Sequence, residues 1–156
     1  MQIETLDITD LTPDPKNARQ HDAQNIKAIE GSLSQFGQRK PIVITEANVI
    51  VAGNGTVTAA KNLGWQTIEA VRVPADWSAD QVKAFALADN RTAELASWEP
   101  EVLASQLIDL DEAGFAIKEL GFDPLDYQPK FFAPVEEVPR LDHKESKPCP
   151  NCGFSA

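Results

Sequence analysis

Apolar and polar positions change period several times along the chain, and each change marks an element. Ile3, Thr5, Leu6, Ile8 and Leu11 alternate loosely with polar neighbours, which predicts a first strand over 3–11. Thr12-Pro13-Asp14-Pro15 should end it, since neither proline can donate to a ladder and each pushes its predecessor away from helix. Asp22 then opens a helix whose Ile26, Ile29, Leu33 and Phe36 form one apolar stripe, closed by Gly37. Pro41 to Thr45 reads as a second strand, and Glu46-Ala47-Asn48 as a tight connection into a third over Val49 to Ala52. Val57, Ala60 and Leu63 fall on one side of a short helix, with Thr56 as the expected N-cap and Gly64 as its stop.

Ile68 to Val73 predicts a further strand, stopped by Pro74. Ser78 and Gln81 form a capping box, with Trp77 placed to staple onto Val82 and with Val82, Phe85 and Ala86 turned toward the core. Trp98-Glu99-Pro100 starts a last long helix, with Leu103, Leu107 and Leu110 on one face and Gly114 as its stop; Ile117 to Leu120 adds one turn. From Gln128 on, prolines at 129, 134, 139 and 148 amid mixed charge predict a flexible tail. The expectation is an α+β domain over 1–127, a small mixed β-sheet flanked by helices with a C-terminal helical extension, and a tail over 128–156.

Three clusters carry candidate chemistry. Gly53-Asn54-Gly55-Thr56 lies between a buried strand and a helix start, where free backbone N–H groups and the helix dipole suit an anion such as phosphate. A tight strand-to-helix connection alone would need the same glycines. Arg19, in the loop after the double proline, has the planar fork that binds phosphate or carboxylate, or it is a solvated surface residue. Asp89-Asn90-Arg91 offers two oxygen ligands for Mg²⁺ beside a cation, or equally a polar helix end in solvent. His21, just before the helix cap, reads as a loop histidine rather than a ligand.

Charge and cysteine usage narrow the classes. A net charge of −10 over 156 residues weighs against a broad DNA-binding face, because DNA affinity comes mostly from Lys and Arg neutralising phosphates. Lys16, Arg19, Arg39 and Lys40 would still suffice for a small basic patch facing a nucleotide, with any DNA contact weak or indirect. No apolar run reaches the ~18 residues of a membrane span and no leader pattern opens the chain, so a cytoplasmic location is expected. Cys149 and Cys152 have the Cys-x-x-Cys spacing of a Zn²⁺ knuckle. With only His143 nearby, such a zinc would be shared with another chain; otherwise the two thiols stay free and reduced.

The order of parts resembles the ParB N-terminal/sulfiredoxin-like family, and most of all the branch found in phages and fused to DNA modification methylases. The resemblance runs from Ile3 to Tyr127 through Leu11-Thr-Pro-Asp-Pro-Lys-Asn-Ala-Arg19, Phe36-Gly37, Pro41-Ile-Val-Ile, Gly53 to Gly64, and Ala86-Leu-Ala-Asp-Asn-Arg91. It implies a fold that binds ATP or CTP with Mg²⁺. In that scheme Gly53 to Thr56 match the phosphate box, Asp89 and Asn90 the metal-holding residues, and Arg19 the N-terminal arginine of the pocket. Two departures matter. The box lacks the arginines of partition proteins, which leaves phosphate binding to backbone N–H groups and Lys61. It also lacks the catalytic cysteine of sulfiredoxins, which excludes that reductase chemistry. With no helix-turn-helix domain after the compact part, operator binding is not expected.

The leading expectation is a nucleoside-triphosphate-binding protein of phage or prophage DNA metabolism. Its reaction would be Mg²⁺-assisted phosphoryl transfer or phosphodiester hydrolysis, with Asp89, Arg91 and Arg19 as the reacting-site residues. Two alternatives stand beside it. One is a non-catalytic adaptor that docks a DNA methylase or other phage protein, or forms a homodimer; the other is a metal-dependent nuclease.

Overall fold

The computed structural model describes residues 1–123. The tail over 128–156, with Cys149, Cys152 and His143, lies outside the described residues. A five-stranded mixed sheet runs in the order β1 (Ile3–Asp7), β5 (Thr67–Arg72), β3 (Ile42–Ile44), β4 (Val49–Ala52), β2 (Thr12–Pro13). β1 lies antiparallel to β5, β5 parallel to β3, β3 antiparallel to β4, and β4 parallel to β2. Four helices complete the described chain: α1 (Ala23–Phe36), α2 (Asn54–Asn62), α3 (Ala79–Leu95) and α4 (Pro100–Glu112), followed by a 3-10 turn at Ile117–Leu120.

The expected first strand breaks at Asp7. Ile8–Asp10 forms a 3-10 turn, and its three-residue period brings both Ile8 and Leu11 into the core. The chain thereby leaves β1 on one edge of the sheet and reaches β2 on the other. A connector that short falls well below the roughly 19 Å that four flat strand spacings would span, so the sheet must curl. Pro13, expected only to end a strand, takes part in one: at an edge its missing N–H removes no central ladder bond.

Ile42, Ile44, Ile50, Ile68 and Ala70 from the strands meet Val57, Ala59 and Ala60 of α2 and Leu33 of α1 in one buried cluster. Phe36, the last position of the predicted α1 stripe, stays 43% exposed. The Ile42–Ala52 hairpin forms as expected, turning through Asn48 at φ 58°. Arg72 on β5 ties its strand to β1 and to the turn between β3 and β4. Its Nε lies 2.8 Å from Glu4 Oε1 on β1, and its Nη1 donates to the Thr45 and Glu46 carbonyls beside the hairpin turn.

The helical layer is tight on one side and loose on the other. Gly31 of α1 lets the Glu119 carbonyl approach so closely that a β-carbon there would sit 2.0 Å from that oxygen. The α3 capping box forms as expected between Ser78 and Gln81, but Trp77 packs on Phe85, with ring centroids 5.6 Å apart. No α3 residue is fully buried; Val82, Phe85, Ala86 and Asn90 form only a half-buried face. No helix among the described residues is long and apolar enough to cross a membrane.

Candidate functional site

The corner after β4 differs from the expected one by three residues. Gly53, not Thr56, caps α2, at φ 103°, and Val57 N–H makes the first helical bond to the Gly53 carbonyl at 2.9 Å. Two constraints select glycine here. The left-handed φ disfavours a side chain, and a β-carbon would come within 2.6 Å of Ile42 Cγ2. A glycine cap brings no side-chain acceptor, so the Asn54, Gly55 and Thr56 N–H groups of the first turn receive no cap hydrogen bond. A helix start of this kind, with the positive end of the dipole, is chemically suited to an anion seat.

Other elements bring side chains to this seat. A small cleft of about 80 Å³ is lined by Asn17, Arg19, His21, Gly53, Asn54, Gly55, Thr56 and Asn90, over Ile29 and Val51. One water takes roughly 30 Å³ of liquid, so the cleft holds a group of a few heavy atoms. A larger cleft of about 570 Å³ lies beside it, and the two share Asn17, Arg19, Val51 and Asn90 in their linings. The larger cleft runs between β4 and α3, with Val49, Ile50, Val82, Ala86 and Leu87 as apolar surface and Lys16, Lys83, Asp14 and Asp80 as charged groups.

Local hydrogen bonds fix the loop that carries Arg19. Asp14 Oδ1 accepts from Lys16 N–H at 2.8 Å. Asn17 exchanges two bonds with the Arg19 backbone, its Nδ2 donating to the carbonyl and its Oδ1 accepting from the N–H. The double proline therefore leads into a shaped turn. Arg19 Nη1 in turn donates to Glu94 Oε1 at 2.9 Å, and Arg91 Nη1 donates to Glu94 Oε2 at 3.1 Å.

The structure thus gathers Arg19, Gly53, Asn54, Gly55, Thr56 and Asn90 along the smaller cleft; Lys61, Asp89 and Arg91 line neither cleft, and Arg91 meets Arg19 only through Glu94. Lys61 sits two turns along α2 from Asn54, about 10 Å up the helix, exposed and lining neither cleft. Asp89 and Arg91 are also exposed and line neither, because each residue step turns a helix by about 100° and Asn90 holds the inward face. Asn90 Nδ2 donates to the Ala86 carbonyl at 2.8 Å. Among the described residues no three His, Cys, Asp or Glu side chains come together as a metal cluster. The described residues thus bring together no set of three such ligands for a Mg²⁺.

Two residues carry no obvious sequence signal: His21, which lines the smaller cleft, and Glu94, which lines neither cleft but bonds Arg19. His21 reads as a loop histidine, yet its ring lies against Gly55 and its Nδ1 is 2.6 Å from Asn25 Oδ1. Since an amide oxygen only accepts, this bond puts the proton on Nδ1. Glu94 is one of 24 acidic residues, and nothing local links it to Arg19, 75 positions away.

Comparisons with known proteins agree with this architecture. The ParB N-terminal domain matches residues 1–91. The "ParB-like nuclease domain-containing protein YnaK" of Escherichia coli (strain K12) is 33% identical over 64 residues, which are 41% of this chain and 74% of that protein. The crystal structure of C-terminally truncated chromosome-partitioning protein ParB from Caulobacter crescentus, complexed with CTP-gamma-S, superposes with a TM-score of 0.66 at 16% identity, covering 81% of this chain and 75% of that one. A Pnob8-like ParB-N domain superposes at 0.50, with 16% identity over 72% of this chain and 47% of that one.

Proposed function

The chain belongs to the ParB N-terminal domain family, and from that premise we propose that it binds a nucleoside triphosphate across the two neighbouring clefts. The observation that carries this reading is the glycine-capped start of α2. Its three N–H groups without a side-chain cap face a cleft that also holds Arg19. Phosphate oxygens would take those N–H groups and the Arg19 fork. The larger cleft lies within the usual range of ligand pockets, about 300–1,000 Å³, and its apolar surface suits a base and sugar. The Caulobacter crescentus ParB structure, which shares the fold, contains the nucleotide analogue CTP-gamma-S.

Any Mg²⁺ would arrive on the triphosphate and keep mostly water and phosphate oxygens. We assign no hydrolytic step; among the described residues the smaller cleft is lined by Arg19, His21 and amide side chains rather than by a carboxylate. The cellular setting that the family supports is DNA handling, with any DNA contact left to partners by the net charge of −10.

Thermal melting with each of the four ribonucleoside triphosphates, with and without Mg²⁺, tests the reading. At a hundred times Kd, linkage adds about 2.7 kcal/mol. For a chain of this size that is a rise of roughly 5–10 °C. No rise with any nucleotide would count against it.

A second reading is favoured by three apolar side chains largely in solvent at the α3–α4 junction. Leu95, Trp98 and Val102 are 52–68% exposed. An apolar patch of this kind suits contact with a protein, a second copy being the simplest. Sedimentation of Trp98→Arg against wild type tests it: a self-association lost in the variant supports contact, and identical behaviour argues against it.

A further inference from the structure

Glu94 engages one nitrogen of the guanidinium that lines the cleft at the glycine corner. Arg19 lines both clefts, and its Nη1 is bonded to Glu94 Oε1 at 2.9 Å. Glu94 lies four residues beyond Asn90, so it stands one turn further along the face of α3 that meets the cleft. To a guanidinium, a carboxylate and a phosphate present much the same oxygens. The Arg19 and Glu94 side chains are 36% and 49% exposed, so this bond adds little to stability and can be exchanged at little cost.

We propose that Glu94 is a built-in stand-in for phosphate: it holds Arg19 until an incoming oxyanion displaces it. Arg91 gives the displaced carboxylate a place to stay, since its bond to Glu94 Oε2 is local to α3 and does not involve Arg19. Exchange then separates α3 from the N-terminal loop at this end, where no residue of the helix is fully buried. The competition weakens all anions by a similar factor. Monovalent and divalent oxyanions, which bind feebly to begin with, would fail to fill the site, while a polyphosphate with several charges succeeds. Glu94 thereby sets a charge threshold for the ligand. The identity of the natural anion rests on the nucleotide reading above; the exchange itself does not.

Calorimetry at fixed low ionic strength, with CTP, ATP and inorganic pyrophosphate as titrants, tests the exchange. The proteins are wild type, Glu94→Gln, Arg19→Ala and the double variant, each checked for folding by its melting curve. Glu94→Gln keeps the side-chain shape and removes the competing charge. It should tighten every titrant by about two- to fivefold, the scale of one partly exposed ion pair. In the Arg19→Ala background the same substitution should bring no gain. Damage to the fold cannot mimic a gain in affinity.

Pyrophosphate binding by Glu94→Gln alone, with wild type silent, would support a threshold set by this residue. Wild-type nucleotide binding that Glu94→Gln leaves unchanged or weakens would overturn the exchange and leave the nucleotide site standing. An equal gain with and without Arg19 would show a general charge effect and also overturn it. Silence from both proteins with all three titrants would overturn the exchange and the nucleotide reading together.

Discussion

His21 lies so close to Gly55 that a β-carbon on the glycine would sit 2.8 Å from the imidazole Cε1 and 2.9 Å from Nδ1, with Ile29 Cδ1 at 2.9 Å on another side. The ring cannot easily withdraw, since Asn25 holds Nδ1 at 2.6 Å and Asn25 is itself fixed through its N–H to Asp22 Oδ1. Gly55→Ala should therefore displace His21 and Ile29 together, costing about 1–3 kcal/mol, the usual range for overpacking. Its effect on pyrophosphate or nucleotide affinity should exceed that of His21→Ala, because the added methyl also enters the seat. Denaturant titration and calorimetry on the two variants check both statements. A Gly55→Ala protein with native stability and native binding would mean that the ring has room to move.

Gly31 poses a stricter requirement than Gly55, since backbone rather than a side chain faces it. A methyl group at Gly31 would sit 2.0 Å from the Glu119 oxygen and 2.8 Å from its carbonyl carbon. Gly31→Ala should detach the segment around Ile117 from α1, although alanine is the better helix former by about 1 kcal/mol. We expect a net loss of about 2–4 kcal/mol, in the range of disrupted core contacts. Hydrogen exchange should quicken at Ile117 and Leu120 before it does in the sheet. Stabilisation by this substitution would mean that the Ile117–Leu120 turn can shift without loss.

Gln38 acts as a missing rung of the sheet. Its Oε1 accepts from Glu69 N–H at 2.8 Å, and its Nε2 donates to the Glu69 carbonyl at 2.8 Å and the Lys40 carbonyl at 3.0 Å. The amide thus extends the parallel pairing of β3 with β5 by one residue before Ile42 begins it. Gln38→Ala should cost about 1 kcal/mol, a typical net value for such bonds. Gln38→Glu should cost more, because a carboxylate keeps the acceptor, loses both donations and faces two carbonyl oxygens. Equal melting temperatures for the two variants would show that the donations contribute nothing.

The parts of this molecule that could be read from sequence are those set by neighbours in the chain. The α1 stripe, the Ile42–Ala52 hairpin and the Ser78–Gln81 box each depend on spacings of two to eleven residues, and each is found. The turn at Ile8 escaped because Ile3 to Leu11 also fits a strand, and only the need to cross from one sheet edge to the other decides against it. Thr56 looked like the N-cap because threonine is a usual one, whereas the contact of Gly53 with Ile42 that moves the helix start is tertiary. The same limit applies at the site. Gly53 to Thr56 announced itself as a unit, but the partners of Arg19 and Gly55 are Glu94 and His21, 75 and 34 positions away.

Asn90 and Asp89 are adjacent in sequence yet stand differently to the site, and this makes the sharpest test of α3. Asn90 lines both clefts and is braced by Ala86, while Asp89 is exposed and lines neither. Asp89→Ala should leave stability within about 0.5 kcal/mol, as for surface changes away from special features. It should also leave the nucleotide-induced rise in melting temperature intact. Asn90→Ala should cut that rise, through loss of a polar group that lines both clefts. Melting curves with a triphosphate, titrated with Mg²⁺ for both variants, read the difference directly. If Asp89→Ala abolishes the Mg²⁺-dependent part of the shift and Asn90→Ala spares it, α3 must turn by about one residue when ligand binds, since about 100° separates the two side chains around the helix. The Arg19–Glu94 bond could not survive such a turn. Hydrogen exchange near Thr92 to Leu95 should then rise with nucleotide.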